Sequence, residues 1–267
     1  MSRESLSLES TIDTHGIVSL SHYIAQYQGL QGRFSRRLSV EEYGSFAQLQ
    51  RVSKAMVPLE YEHLQEEPLF DELKQELSEV LSRLTTIMKA KDRQLYRHSL
   101  RVHSLASSLT SVLKLPGEDA LTIGLVAFFH DIGKMAINST ILHKPAYLTR
   151  QEFEIVKGHT ASGAKMLSQF KMLRNVVPSV YYHHERWDGR GYPDGIRGEA
   201  IPLGARVVAI VDAFDAMTSD RNYQKRRTAA EALEELRRCA GTQFDAQLVS
   251  LFCNSLELTL LDPTNAQ

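Results

Sequence analysis

Leu, Ala, Glu, Gln and Arg recur at helical spacing through most of this chain, and the alternation of apolar and polar residues that marks a half-buried strand is scarce. That periodicity restricts the fold to the all-α class. Phe70, Leu73, Leu77, Val80, Leu84 and Ile87 fall at steps of 3, 4, 3, 4 and 3, an apolar seam along one helix. Such a seam could form a short coiled-coil contact in a homodimer. Packing on its own domain is the favoured reading, because about three to four heptads are wanted for a coiled coil.

Further helices are expected over about 92–114, stopping at Leu115-Pro116-Gly117, and over about 119–129. Thr149-Arg150-Gln151-Glu152 is a capping box predicted to open a helix through Leu167, and Thr228-Ala229-Ala230-Glu231 opens another to Cys239. A helix from about Asn175 ends in His183-His184, and a loop rich in Gly and Pro follows from Asp188 to Gly204. The next helix holds Val207 to Thr218, and the last spans about 245–256. Residues 1–70 read as a separate, mostly helical N-terminal segment, loop-like near Gly29 to Ser35 and helical near Val40 to Val57. It carries no motif, and a regulatory or dimerisation role stays open. The chemistry is expected within residues 71–260.

With 43% hydrophobic and 24% charged residues, the 267-residue chain can bury a substantial core. A formal net charge of −1 offers no basic field for duplex nucleic acid, although a small anion needs only a local positive site. The two cysteines, Cys239 and Cys253, show neither zinc nor redox spacing, which fits a reducing cytoplasm. The first residues lead into no apolar signal core, and apolar runs such as Leu125 to Phe129 are too short for membrane insertion.

His130-Asp131 ends the apolar run Ile123 to Phe129, at the edge of a core. An ionised carboxylate buried there is costly unless it is paired or binds a metal. Taken alone, the dipeptide is better explained by a structural His–Asp hydrogen bond. Other residues strengthen the metal reading: His98, His159, the adjacent His183 and His184, and Asp212, which interrupts the apolar stretch Val207 to Phe214. Imidazole and carboxylate together suit Fe, Mn, Zn or Ni, and a carboxylate can bridge two ions.

The segment His130-Asp131-Ile132-Gly133-Lys134 resembles the signature of the HD superfamily of metal-dependent phosphohydrolases. The segment His183-His184-Glu185-Arg186-Trp187-Asp188-Gly189-Arg190-Gly191-Tyr192-Pro193 is similar to that of its HD-GYP branch. The likeness takes in His98 to Val102, Asp212 to Arg221 and Ala240 to Asp245, and covers roughly residues 73–258. It implies a helical HD-type bundle with a di- or trimetal centre, and hydrolysis of cyclic di-GMP or, in some members, cyclic GMP-AMP.

By position, the family's ligands fall on His98, His130, Asp131, His159, His183, His184 and Asp212. Asp131 is expected to bridge two ions, with His98, His130 and Asp212 on one and His159, His183 and His184 on the other. Two close ions lower the pKa of a shared water and clamp a phosphate for in-line attack. Lys134, three residues after Asp131, returns to the same side and is assigned to the phosphate. Tyr192 and Arg221 are assigned to substrate binding; an ordinary loop tyrosine and a solvated arginine are the plainer alternatives. Trp187 reads as an anchor for its loop. His15, His22, His63, His103 and His143 match no ligand position.

The chain departs from the pattern at three places. A glutamate that serves a third metal in some members is replaced by Gln94, a neutral and poor ligand, so two divalent ions, Fe or Mn, are expected. Gln224 replaces a basic residue of some relatives, which could alter substrate affinity or preference. Asn138 replaces a common proline, a change read as neutral. Gln94 and Gln224 leave room for a second function, a cyclic-dinucleotide receptor with little turnover. A third, an HD phosphohydrolase for another nucleotide, is opposed by the Gly-Tyr-Pro loop. Because residues 1 to about 68 carry no member of the site, a truncation starting near Pro68 is expected to stay folded and keep its chemistry. Loss of the metal centre in that soluble truncated protein would assign the segment to the catalytic domain.

Overall fold

The computed structural model describes residues 68–219 and 226–260. The readings made for residues 1–67, Arg221, Gln224 and Lys225 therefore lie outside the described residues. The described chain is all helical, with no strand and one isolated bridge between Ala240 and Phe244. The helices are α1 (Pro68–Lys91), α2 (Arg93–Leu113), α3 (Gly117–Phe129), α4 (Ser139–Leu142), α5 (Arg150–Lys157), α6 (His159–Leu167), α7 (Val177–Tyr182), α8 (Leu203–Thr218), α9 (Ala229–Arg238) and α10 (Ala246–Leu260). A 3-10 turn spans Ile132–Ala136. No helix among the described residues is long and apolar enough to cross a membrane.

Two compact units divide the chain. Among the described residues, one comprises 68–87 with Leu115–Leu121, the other Met88–Lys114 with 122–219 and 226–260. In the first, the apolar seam is buried at Leu84, half-buried at Leu77 and Val80, and half exposed at Ile87.

In the second unit, α8 is the central helix. It packs against α2, α7, α9 and α10, while α10 also contacts α2 and α9. This surrounding explains why α8 is apolar on nearly every side: Val207, Val208, Ile210 and Val211 are all fully buried. Val102, Ala106 and Leu109 of α2, Leu233 and Leu236 of α9 and Phe252 of α10 complete the core, with Phe214 edge-on to Phe252 at 5.4 Å. Local signals set the ends. Asp92 caps α2, accepting from the amides of Gln94 and Leu95, and Lys114 closes it in the left-handed region at φ 51. Both capping boxes form as read.

Two details differ from the sequence reading. The helix expected from Thr149 to Leu167 is two helices, α5 and α6, meeting at Gly158. The Gly158 amide donates to the carbonyls of Glu154 and Ile155, and the His159 ring takes the Val156 carbonyl, so the ladder is interrupted there. Asn138 does more than stand in for a proline: its side chain caps the four-residue α4 by accepting from the Thr140 amide.

The 3-10 turn after Asp131 lies directly on α6. A Cβ at Gly133 would overlap the His159 carbonyl and stand 2.5 Å from the Gly163 nitrogen, and a Cβ at Gly163 would stand 3.2 Å from the Gly133 nitrogen. Two backbones thus touch, and this contact carries His159 to Asp131. Gly133→Ala is expected to destabilise the fold by about 1–3 kcal/mol through overpacking. Chemical denaturation checks this, and an unchanged midpoint would show that the turn and α6 can separate freely.

Candidate metal centre

Three of the predicted ligands share one local device. His130 directly follows α3, His159 follows α5 across Gly158, and His183 directly follows α7. The last carbonyls of a helix have no amide to accept from. In each case the imidazole supplies the donor: Nδ1 lies 2.8 Å from the Ala127 oxygen in His130, 2.6 Å from Val156 in His159 and 2.7 Å from Val180 in His183. Placing the proton on Nδ1 leaves Nε2 as a lone pair directed inward. His98 lies inside α2, where carbonyls are taken up by the helical ladder. Its Nδ1 instead meets Asp215 Oδ2 on α8 at 2.8 Å.

The donor atoms converge in two groups, His98, His130 and Asp212 in one and Asp131, His159, His183 and His184 in the other. In the first, His98 Nε2 is 3.2 Å from both His130 Nε2 and Asp212 Oδ1. In the second, His159 Nε2 is 3.3 Å from His183 Nε2. Asp131 faces both. Its Oδ2 is 3.3 Å from His130 Nε2 and 3.6 Å from His98 Nε2, while its Oδ1 is 3.2 Å from His159 Nε2 and 3.9 Å from His183 Nε2.

These residues fit metal ions. Ligand atoms about 2.1 Å from a common ion stand roughly 3.0–3.4 Å apart. Asp131 is 2% exposed, and its Oδ1 has no hydrogen-bond partner. With the protons of His130, His159 and His183 on Nδ1, their lone pairs face the Asp131 carboxylate and one another, an arrangement that a cation relieves. The two groups can therefore each hold an ion.

Electrostatics divide along the same line. Burial works to raise the Asp131 carboxyl, but Lys134 and His130 outweigh it and hold the group well below the usual carboxylate range. Lys134 Nζ sits 2.5 Å from Asp131 Oδ2 and remains partly exposed. Burial opposes charge on His98 too, yet the hydrogen bonds that Asp212 and Asp215 accept from its ring push it up to about 9. Burial drives His184 down to about 4 and His183 well below its ordinary value. The neutral imidazoles required of ligands are thus the preferred forms on the second side.

The loop after His184 folds back on its own origin. The Tyr192 amide donates to the His184 carbonyl at 3.2 Å, and a Cβ at Gly191 would stand 2.5 Å from the Glu185 Cα, so no larger residue fits that approach. Tyr192 consequently stacks on the His184 ring, with centroids 4.9 Å apart, and burial raises its phenol further above the ordinary value. Glu185 Oε1 clamps the loop by accepting from the amides of Asp194 at 2.7 Å and Gly195 at 2.8 Å. Trp187 anchors it as expected: its amide donates to the Gln243 carbonyl, and Arg206, paired with Asp245, lies over its ring.

The seven ligand candidates, Lys134 and Tyr192 are thus brought together, whereas Arg221 lies outside the described residues. Gln94 is exposed. His143 is also exposed, 3.5 Å from Asp92, and His103 bonds the Gly124 carbonyl. Sequence reasoning gave no role to Asp215, Arg101 or Glu185. A signal for Asp215 was present: it follows Asp212 by three residues, on the same helical face of an apolar helix.

A bundle whose helix ends direct histidines onto a shared aspartate is the architecture of a metal-dependent HD protein. The sequence profile of the HD domain matches residues 82–248, and the chain belongs to that family; its Gly-Tyr-Pro segment and its relatives put it on the HD-GYP branch. A cyclic di-GMP phosphodiesterase of Pseudomonas aeruginosa is 41% identical over 170 residues, covering 63% of this chain and 41% of that protein. A cyclic di-GMP phosphodiesterase of Thermotoga maritima is 36% identical over 188 residues, 70% of this chain and 51% of its own. A 3′3′-cGAMP-specific phosphodiesterase of Vibrio cholerae is 35% identical over 185 residues, 68% of this chain and 35% of its own. The chain spans about half the length, or less, of these relatives.

Two solved structures share the fold. A cyclic GMP-AMP-specific phosphodiesterase of Vibrio cholerae has a TM-score of 0.51 at 20% identity, covering 70% of this chain and 49% of that one. An HD-GYP-type protein of Bdellovibrio bacteriovorus has a TM-score of 0.51 at 17% identity, covering 90% and 71%.

Proposed function

We propose that the protein is a metal-dependent phosphodiesterase that opens cyclic di-GMP to linear pGpG, with cyclic GMP-AMP the closest competing substrate. The observation that carries this reading is the Asp131 carboxylate, which presents one oxygen to each of two ligand clusters in an HD-family chain. His98, His130 and Asp212 would hold one divalent ion and His159, His183 and His184 the other, with Asp131 between them. The relatives named for cyclic di-GMP and 3′3′-cGAMP support the substrate class.

Bound ions would lower the pKa of a nearby water and offset phosphodiester charge. The chain's own groups do the rest. Lys134, held on Asp131 yet partly exposed, donates to a phosphate oxygen as negative charge grows in the transition state. Tyr192, fixed on His184, would position the substrate by packing, and Arg221, by its match to a family position that contacts the dinucleotide, would add a further contact. Fe or Mn suits this mixed imidazole and carboxylate set. Two ions rather than three follow from Gln94, an exposed neutral amide where a third would need an acidic group. The linear product should therefore accumulate, because its terminal phosphate adds charge that two ions already engaged leave unbalanced.

Turnover of cyclic di-GMP with added Mn²⁺, or with Fe²⁺ under anaerobic conditions, tests the reading. Linear pGpG is the expected main product, and binding without turnover would establish the receptor alternative instead. Asp131→Ala should lose both ions and activity together, as elemental analysis and the same assay would show. Retention of metal with wild-type turnover would refute the centre. Lys134→Ala should keep its metal and lose roughly a hundred- to thousandfold in kcat, equivalent to about 3–4 kcal/mol. A loss of only about threefold would remove Lys134 from the mechanism.

A further inference from the structure

Of the four candidate ligand imidazoles with an Nδ1 contact, His98 alone is oriented by a side chain. His130, His159 and His183 use the carbonyl three residues back, which their position at helix ends leaves open. His98 is five residues into α2 and must find its acceptor on another helix. Asp215 on α8 provides it, with Oδ2 at 2.8 Å from Nδ1. Asp215 is 3% exposed and does not stand alone: Arg101 Nε donates to Oδ1 at 2.6 Å, Arg101 Nη2 to Oδ2 at 2.9 Å, and Ser219 Oγ to Oδ1 at 3.1 Å. Arg101 is three residues after His98, so one face of α2 carries both the imidazole and the fork that fixes its acceptor.

We infer that Asp215, held by Arg101 and Ser219, is a positioning residue that fixes the His98 tautomer and ring plane and thereby completes the His98, His130 and Asp212 metal site. The carboxylate accepts a hydrogen bond from Nδ1–H, so Nε2 is the nitrogen that gives up its proton to a metal ion and faces Asp212 and His130. The Arg101 fork offsets the carboxylate's charge and leaves Oδ2 directed at the ring. Asp212 and Asp215 therefore divide the work of one helix face, the first offering an oxygen to the cluster and the second reaching it only through His98. The alternative is a buried ion pair that merely ties α2 to α8. The two differ in what they disturb: positioning acts on one metal site, whereas tying two core helices together acts on the whole fold.

This inference rests on the reading of His98 as a ligand, so the experiment uses metal binding and needs no substrate. The full chain is stripped with a chelator and titrated with Mn²⁺; tightly held ions are counted by elemental analysis, and melting temperature is followed in parallel. In Asp215→Asn the single remaining oxygen is claimed by Arg101, and the amide donates to Nδ1, forcing the proton onto Nε2. The expected result is a loss of about 10–100-fold in Mn²⁺ affinity at one of two sites, with the other site and the metal-free melting temperature unchanged. Arg101→Gln, which leaves Asp215 in place but unclamped, should weaken the same site by a smaller factor, and it serves alone if Asp215→Asn does not fold. Wild-type affinity at both sites, or an equal weakening of both with a fall in melting temperature, would overturn the positioning role. A wild-type chain that binds no Mn²⁺ would instead defeat the underlying assignment of the centre.

Discussion

The Asp131 carboxylate is the interaction on which the rest of this structure depends. Its two oxygens point to different histidine clusters, and it is almost wholly buried between them. A carboxylate in such a place is expensive to desolvate, and Lys134, followed by His130, holds it well below the usual carboxylate range. The backbone around it follows that demand. The 3-10 turn that begins after Asp131 presses Gly133 against His159 and Gly163, so the second cluster reaches the carboxylate through a contact that tolerates no Cβ.

Helix ends supply most of the site. Stopping a helix leaves carbonyls without donors, and His130, His159 and His183 each satisfy one of them while turning a lone pair inward. One feature of the chain, termination, thereby settles both a hydrogen-bond deficit and a tautomer. His98 departs from this economy because it lies within α2, and its orientation depends on a carboxylate from α8. The first cluster consequently needs α2 packed on α8 as well as the end of α3, whereas the histidine–carbonyl contacts of His130, His159 and His183 are local in sequence.

Burial also separates the chemistry of the two sides. His98, beside two carboxylates, favours its charged form, while His183 and His184, surrounded by other imidazoles and shielded from water, favour the neutral one. The loop from Glu185 to Gly195 closes over the second side, tied down by the Glu185 carboxylate and by the return of Tyr192 to the His184 carbonyl. Tyr192 thus owes its position to hydrogen bonds within eleven residues of chain and to one glycine whose replacement would collide with backbone.

Periodicity and capping alone determined the all-α class and most helix positions, since spacing and N-cap chemistry act over a few residues. The strings around His130 and His183 carried the family resemblance, and the ligand candidates, His98, His159 and Asp212 included, came from position within it. What the sequence left open was decided by contacts between distant segments. The break at Gly158 depends on the His159 ring taking a carbonyl, an outcome that a capping box nine residues earlier does not announce. Asp215 looked like one more acid in a helix, and only the packing of α8 on α2 shows that its oxygen meets His98 across 117 positions of sequence. Composition and spacing record which groups are available; which lone pair faces which cation is set by the crossing of helices, and that geometry exists only in the folded chain.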